Sequence, residues 1–384
     1  MSISAYIIAV ENSGDQLGAQ LAASLLEKHP DIKLMGIGGS AMLRQGIRSE
    51  IDISGLAILG FSEGLKSYPM ILNRVRQTVQ SIISAAPNAV ILIDSWGFMI
   101  RVAKGLKKAG FEGKVIKFVA PQVWAMREGR AKILAKYVDH LLTIHSFDAP
   151  YFEPYGLDVR YVGNPVFDTN YRAGDGATLR RELSIDAQRP VVSVYLGSRR
   201  SELFQLLEPF LKALMQLRQS HPDVIIISPM AGSLSKNITV LQETDSRLKN
   251  IIFLPEARKL DVFSASDVAL ACSGTVTTQL ACAGVPTVVA YRLKALTYIA
   301  AKRLYKPDYI SIINIAAGQA LMPEYIQGDV TGDNLCADIQ SYLDDSERRI
   351  SASQHLIKAS DKLKGKGGLA SERAALAVLD ILRA

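Results

Sequence analysis

Cysteine is scarce: Cys272, Cys282 and Cys336 are the only three in 384 residues, and none stand in CxxC or other paired spacing. They read as small buried hydrophobes in a reducing compartment, not as a disulfide framework or a thiolate metal site. The five histidines are scattered without HxH or HxxxH spacing, so no zinc centre is expected. No apolar run approaches ~18 residues, so no segment reads as a membrane span. The opening MSISAYIIAV lacks a basic leader and a cleavage site, and reads as a first strand. The glycine turn Leu196–Glu202 is not GxGxxG and lacks the GK[ST] of a P-loop, which weakens nicotinamide and ATP readings. Basic residues are not interleaved with aromatics and no nucleic-acid module motif appears, which argues against nucleic acid.

What is present is an ordinary globular composition, 48% apolar and 21% charged, at a length that favours two domains. Net charge is +7, and the stretch from Arg101 to Lys136 alone holds ten Lys/Arg against Glu112 and Glu128. That stretch is either a solvated helix face or a surface for anionic lipid or a phosphorylated ligand. The segment LAILGFSEGLKSYPMIL, Leu56 to Leu72, mixes large apolar residues with glycines and a break at Pro69. It is either an apolar lip for an acyl chain or membrane, or a buried helix–loop–helix.

Strands and helices alternate. Strands are expected at Tyr6–Val10, Leu34–Ile37, Ala89–Ile93, Val115–Val119, Leu141–Ile144 and Val159–Val162, with Gly163-Asn164-Pro165 as a hinge. The pattern restarts at Val191–Tyr195, Val224–Ile227, Ile251–Leu254, Val268–Cys272 and Thr287–Tyr291. Helices are expected near Gln16–Lys28, capped by Ser13 or Asp15, and near Val276–Ala283, Ser346–Lys362 and Ser371–Arg383. In such sheets ligands meet the carboxyl ends of strands. Ser273-Gly274-Thr275 sits between a strand and a helix, where free N–H groups and the helix dipole suit a phosphate; a plain helix cap is the other reading. Gly197-Ser198-Arg199 follows a strand and adds a guanidinium to a similar turn. Asp94, at the end of an apolar strand, is either a general base or a helix cap. Trp124, one of two tryptophans, also follows a strand, and Asn314–Gln327 reads as a Gly/Pro-punctuated binding loop.

In order along nearly the whole chain, several segments resemble the lipid-A-disaccharide synthase family. Glu11-Asn12-Ser13-Gly14-Asp15 with Gly18 is similar to AGExSGDxxG, Ile93-Asp94-Ser95 to IDxP, and Ala120 to Ala125 (APQVWA) to SPSVWAW. Val162-Gly163-Asn164-Pro165 is similar to VGHP, and Gly197-Ser198-Arg199 with Glu202 to PGSRxxE. Ser273-Gly274-Thr275 and Tyr291-Arg292 match SGT and YR, and Asn314, Gly318, Pro323-Glu324 and Gln327 match NxxxG…PExxQ. Departures stand at Val10, Trp96, Asn164, Leu196 and Gln279, where the family has Gly, Pro, His, Pro and Glu.

The resemblance implies a GT-B fold: an α/β architecture of two Rossmann-like domains with a cleft between them and C-terminal helices. It implies an acceptor domain at residues 1–165 and a UDP-sugar domain at 166–345. Helices from about 346 to 384 would pack back on the first domain or on a partner chain. The implied reaction is inverting transfer of 2,3-diacylglucosamine from its UDP carrier to 2,3-diacylglucosamine 1-phosphate, lipid X, with no metal and no cofactor. Asp94 would be the base. Gly197, Ser198, Arg199, Ser273, Gly274 and Thr275 would hold the diphosphate, Gln279 the ribose, and Asn314, Glu324 and Gln327 the donor side. Glu11, Ser13, Asp15, Trp124 and Asn164 match cleft positions without an assigned role. A cytoplasmic protein, peripheral on the inner membrane face through the basic and apolar N-terminal patch, and a homodimer are also implied. The alternatives are a transferase or epimerase acting on another UDP-linked sugar, which the few histidines disfavour in the epimerase case, and a non-catalytic lipid- or nucleotide-binding protein.

Overall fold

The computed structural model describes residues 3–52, 64–230, 234–294, 298, 305–364 and 367–383. Residues 56–63 of the Leu56 to Leu72 stretch lie outside them. The chain forms two compact units, Met1–Pro165 with Gly365–Ala384, and Val166–Lys364.

The first unit runs β1 (Ser4–Ile8), α1 (Asn12–Lys28), β2 (Lys33–Ile37), α2 (Ser40–Arg44), α3 (Gly64–Ala85), β3 (Ala89–Ile93), α4 (Trp96–Lys108), β4 (Lys114–Phe118), α5 (Gly129–Leu134), β5 (His140–Thr143) and β6 (Asp158–Tyr161). Its strands form one parallel sheet in the order β2-β1-β3-β4-β5-β6. The two-residue period of β1 sends Tyr6 and Ile8 into one core layer and Ala5 and Ile7 into the other. Burial on both faces is why the central strand β3 reads as an unbroken apolar run.

The second unit runs α6 (Gly176–Glu182), β7 (Val191–Tyr195), α7 (Arg200–Ser220), β8 (Ile225–Met230), α8 (Ser235–Thr244), β9 (Ile252–Pro255), α9 (Lys259–Ala265), β10 (Val268–Cys272), α10 (Thr275–Ala283), β11 (Thr287–Tyr291) and β12 (Glu324–Ile326). Its parallel sheet has the order β12-β11-β10-β7-β8-β9. Helices Ile312–Ala317, Gly332–Asp344, Ser346–Lys364 and Ala370–Arg383 complete the chain.

The two closing helices part company. Ser346–Lys364 packs within the second unit against α10. Gly284 makes this possible: it ends α10 at φ +76, and a Cβ there would meet Ile357 Cδ1 at 2.8 Å. Ala370–Arg383 instead lies on α1, where Ala374, Ala375 and Val378 share a core with Leu21 and Leu25. Other differences are local. Pro69 lies inside α3 and does not break it. Ser371 lies inside its helix, which starts at Ala370. The expected binding loop contains a short helix and the edge strand β12.

Candidate active site

In the second unit, β12, β11, β10 and β7 are neighbours, so the segments after their carboxyl ends emerge along one edge. Gly197 takes φ +96 after β7, and a Cβ there would meet Glu202 Oε2 at 2.7 Å. That carboxylate organises the turn: Oε2 accepts from the N–H groups of Ser198 (2.9 Å) and Arg199 (3.2 Å), and Oε1 from Arg199 Nη1 (3.0 Å). The Arg199 side chain is 74% exposed beyond this contact. Next along the edge, Ser273 donates its N–H to Ala290 O at 3.0 Å. Among the described residues, no side chain caps α10, and none beyond the chain neighbours lies within 4 Å of where a Gly274 Cβ would stand. Thr275 is exposed at the first turn. The open backbone turn and the exposed arginine form an anion-attracting edge.

One turn into α10, Gln279 donates through Nε2 to the Tyr171 hydroxyl at 3.4 Å, while its Oε1 is buried without a partner among the described residues. That acceptor suits a ligand hydroxyl. Burial and then the Glu202 charge push the Cys272 thiol up to about 12, which leaves it a neutral core group.

Asn314, Glu324 and Gln327 spend their polar groups on the chain itself. Asn314 donates to Met322 O and Glu324 Oε1, both at 2.8 Å, and accepts from Leu321 N (2.9 Å) and Met322 N (3.0 Å). Glu324 also accepts from the N–H groups of Ile310 and Ser311. Gln327, at φ +53, makes a two-point bond to Leu293, and its carbonyl accepts from Arg292 Nε at 3.0 Å. These residues shape the edge through the segments they clamp.

In the first unit the carboxyl ends of β1, β3, β4 and β5 present the other candidates, again as neighbours in one sheet. Asp94 and Ser95 leave β3 at φ +48 and +36, two successive left-handed non-glycine residues. Such conformations cost on the order of 1–2 kcal/mol each and concentrate at functional sites. Ser95 Oγ donates to Glu11 Oε1 at 2.5 Å, which ties the ends of β3 and β1 together. Val119, at φ +72, repeats the strain after β4.

Lys117 was not expected here. Counted with the surface charges in the sequence, it is only 2% exposed. Its Nζ donates to Leu92 O (3.2 Å) and Phe118 O (2.9 Å). Burial lowers its pKa to about 8, opposed by the charges of Asp94 and Glu11. A lone charge inside the apolar strand VIKF was the available signal.

A second unexpected group follows β5. His145 stacks on Phe147 with centroids 5.1 Å apart, and Trp124 meets both rings edge-on. Burial drops the His145 pKa to about 4. Asp148 is 1% exposed. Its carboxyl faces the Trp124 indole, yet neither oxygen nor Nε1 closes a hydrogen bond of normal geometry. Burial raises its pKa to about 7. Position after a strand, the criterion that singled out Trp124, applies equally to both.

Asp15 does not cap its own helix. Its carboxylate, 2% exposed, accepts from the N–H groups of Gly39 (2.7 Å), Ala41 (2.8 Å) and Met42 (3.1 Å) and so caps α2. Glu11 is the cap residue of α1, Ser13 is exposed on its first turn, and Asn164 is half-buried after β6.

A family profile described as "Lipid-A-disaccharide synthetase" matches residues 5–378. A lipid-A-disaccharide synthase of Rhodospirillum centenum is 37% identical over 380 residues, covering 98% of this chain and 94% of that protein. One from Geobacter sulfurreducens is 35% identical over 376 residues, covering 98% and 96%.

The chain belongs to the lipid-A-disaccharide synthase family.

Members of the lipid-A-disaccharide synthase family are glycosyltransferases of lipid A biosynthesis. The fold agrees with GT-B-like structures. A UDP-GlcNAc 2-epimerase from Neisseria meningitidis, solved with UDP-GlcNAc, has a TM-score of 0.64 at 12% identity, covering 100% of both chains. MurG of Acinetobacter baumannii has a TM-score of 0.57 at 16% identity, covering 100% of this chain and 99% of that one. These identities bear on fold alone. Within the lipid-A-disaccharide synthase family, this chain carries Trp96 immediately after the strained Asp94-Ser95 pair, and there the Arg130 guanidinium carbon lies 5.1 Å from the ring centroid.

Proposed function

We propose that the protein transfers 2,3-diacylglucosamine from UDP-2,3-diacylglucosamine to the 6-hydroxyl of 2,3-diacylglucosamine 1-phosphate, releasing UDP. The product is a β-1,6-linked disaccharide 1-phosphate. Family membership over almost the whole chain is the observation that carries this reading. The acceptor oxygen forms the new bond to the anomeric carbon as the bond to the UDP oxygen breaks, with inversion. Asp94 takes the hydroxyl proton. The second unit holds UDP: the uncapped Gly274 turn and Arg199 meet the diphosphate and stabilise the leaving charge, and Gln279 Oε1 accepts from a ribose hydroxyl.

No helix among the described residues is long and apolar enough to cross a membrane. We infer peripheral attachment at the cytoplasmic face of the inner membrane. Acylated substrates and the basic stretch around α4 and α5 support it, as does exposed Tyr68 with Arg101 5.5 Å over its ring. A homodimer remains the assembly that the family resemblance implies, to be measured by sedimentation.

The test is turnover of UDP-2,3-diacylglucosamine with 2,3-diacylglucosamine 1-phosphate in detergent, with and without EDTA. UDP release matched by disaccharide formation is expected. UDP-sugar binding without release would overturn the reading.

A further inference from the structure

Over Trp96, two residues after Asp94, stands a cation pair with no anion of its own among the described residues. Arg130, in α5, is half-buried, with its guanidinium carbon 5.1 Å from the centroid of the Trp96 ring. The charge acting on it is that of Arg127, of the same sign. Among the described residues no carboxylate forms an ion pair or hydrogen bond with either guanidinium. Arg127 itself is exposed and held at φ +60, a conformation rarely kept without a reason in a non-glycine residue. Two like charges, one partly desolvated, are an unfavourable arrangement that a bound anion would relieve. The Trp96 ring face beneath it holds the Arg130 guanidinium at a defined place, where its N–H fork is suited to a phosphate. Trp96 is two residues from Asp94, so their Cα atoms lie within about 7 Å.

We propose that Arg127 and Arg130, with Trp96 supporting Arg130, form the subsite for the phosphate monoester of the acceptor sugar. The assignment deepens the transfer reading above and rests on it: nucleophilic hydroxyl and phosphate belong to one sugar ring, so base and anion site must lie within a sugar's reach. Membrane phospholipid offers the same phosphate chemistry. The half-buried guanidinium over the Trp96 ring favours a single ligand over a spread surface, so the acceptor is the ligand argued for.

Three measurements decide it. The first is binding of glucosamine 1-phosphate, followed through tryptophan fluorescence. Saturable binding by the wild type, weakened roughly tenfold or more in both Arg130→Gln and Arg127→Gln, is expected. Absence of binding by the wild type up to tens of millimolar, or equal binding by variants with unchanged circular dichroism, overturns the subsite. The second is the ratio of kcat/KM for the phosphorylated acceptor to that for the same acceptor without phosphate. This ratio should collapse by a similar factor in the variants, chiefly through KM, and an unchanged ratio overturns the proposal. The third is sedimentation with vesicles containing anionic phospholipid. Equal binding by wild type and variants supports the acceptor assignment; loss in the variants that matches their loss of glucosamine 1-phosphate gives the pair to the membrane instead. Should the wild type bind glucosamine 1-phosphate but form no disaccharide, the transfer reading falls while the phosphate subsite stands.

Discussion

At the scale of single residues, the proposed chemistry gathers where the backbone is least comfortable. Asp94 and Ser95 hold left-handed conformations at the end of a buried strand, and Lys117 is buried on the neighbouring strand opposite Leu92. As the proposed general base, Asp94 would make a difference only in the transition state. Asp94→Asn should therefore lower kcat by roughly 10²–10⁴-fold and leave UDP affinity unchanged. Single-turnover rates and UDP titration check this, and unchanged kcat would remove Asp94 from its role. His145 and Asp148 make a separate prediction about stability. Burial lowers the His145 pKa to about 4, so its contribution to stability rises as pH climbs from about 4 to its unfolded value near 6.5. Burial raises the Asp148 pKa to about 7, so its contribution is complete below its unfolded value and declines as pH rises from about 4 to 7. The two slopes oppose each other across the shared window. Asp148→Asn should uncover the histidine slope, a gain relative to wild type on the order of 1 kcal/mol per pH unit between pH 5 and 6.5. Urea unfolding at the two pH values measures it; parallel behaviour of wild type and variant would show that Asp148 titrates normally.

At the scale of elements, the parallel strands were legible because both faces of each sheet are buried. Val191–Tyr195, Val268–Cys272 and Thr287–Tyr291 stand where their apolar runs end. β12 was not legible: Glu324 to Ile326 is a short half-buried edge strand, in which Glu324 serves a clamp while Tyr325 packs against the core. Roles of polar residues were harder still. Asp15 lies in the first turn of α1 and looks like its cap, but its partners come from residues 39 to 42, a tertiary fact with no local signature. Asp15→Ala would leave three N–H groups at the start of α2 without an acceptor. A loss of roughly 2–3 kcal/mol follows, or a melting temperature lower by about 4–12 °C. Asp15→Asn, which keeps one acceptor oxygen, should lose less. Similar melting temperatures for Asp15→Ala and wild type would show that water replaces the carboxylate.

At the scale of the molecule, the two units have separate sheets and separate cores, and the last helix of the chain belongs to the first unit although it follows the second. A ligand stabilises the structure it binds, by about 2.7 kcal/mol when present at one hundred times its Kd. If UDP is held by the turns after β7 and β10, its effect on amide exchange should be greatest in peptides covering Leu196–Glu202 and Cys272–Gln279. It should extend to other residues of Val166–Lys364, including the helix Ser346–Lys364 that packs on α10. The helix Ala370–Arg383, packed on α1, should exchange at its unliganded rate. That contrast uses the parting of the two closing helices as an internal control, since they are neighbours in sequence but members of different cores. Protection concentrated around Glu11, Asp94 and Ala370–Arg383 would place UDP on the first unit and reverse the assignment of donor and acceptor.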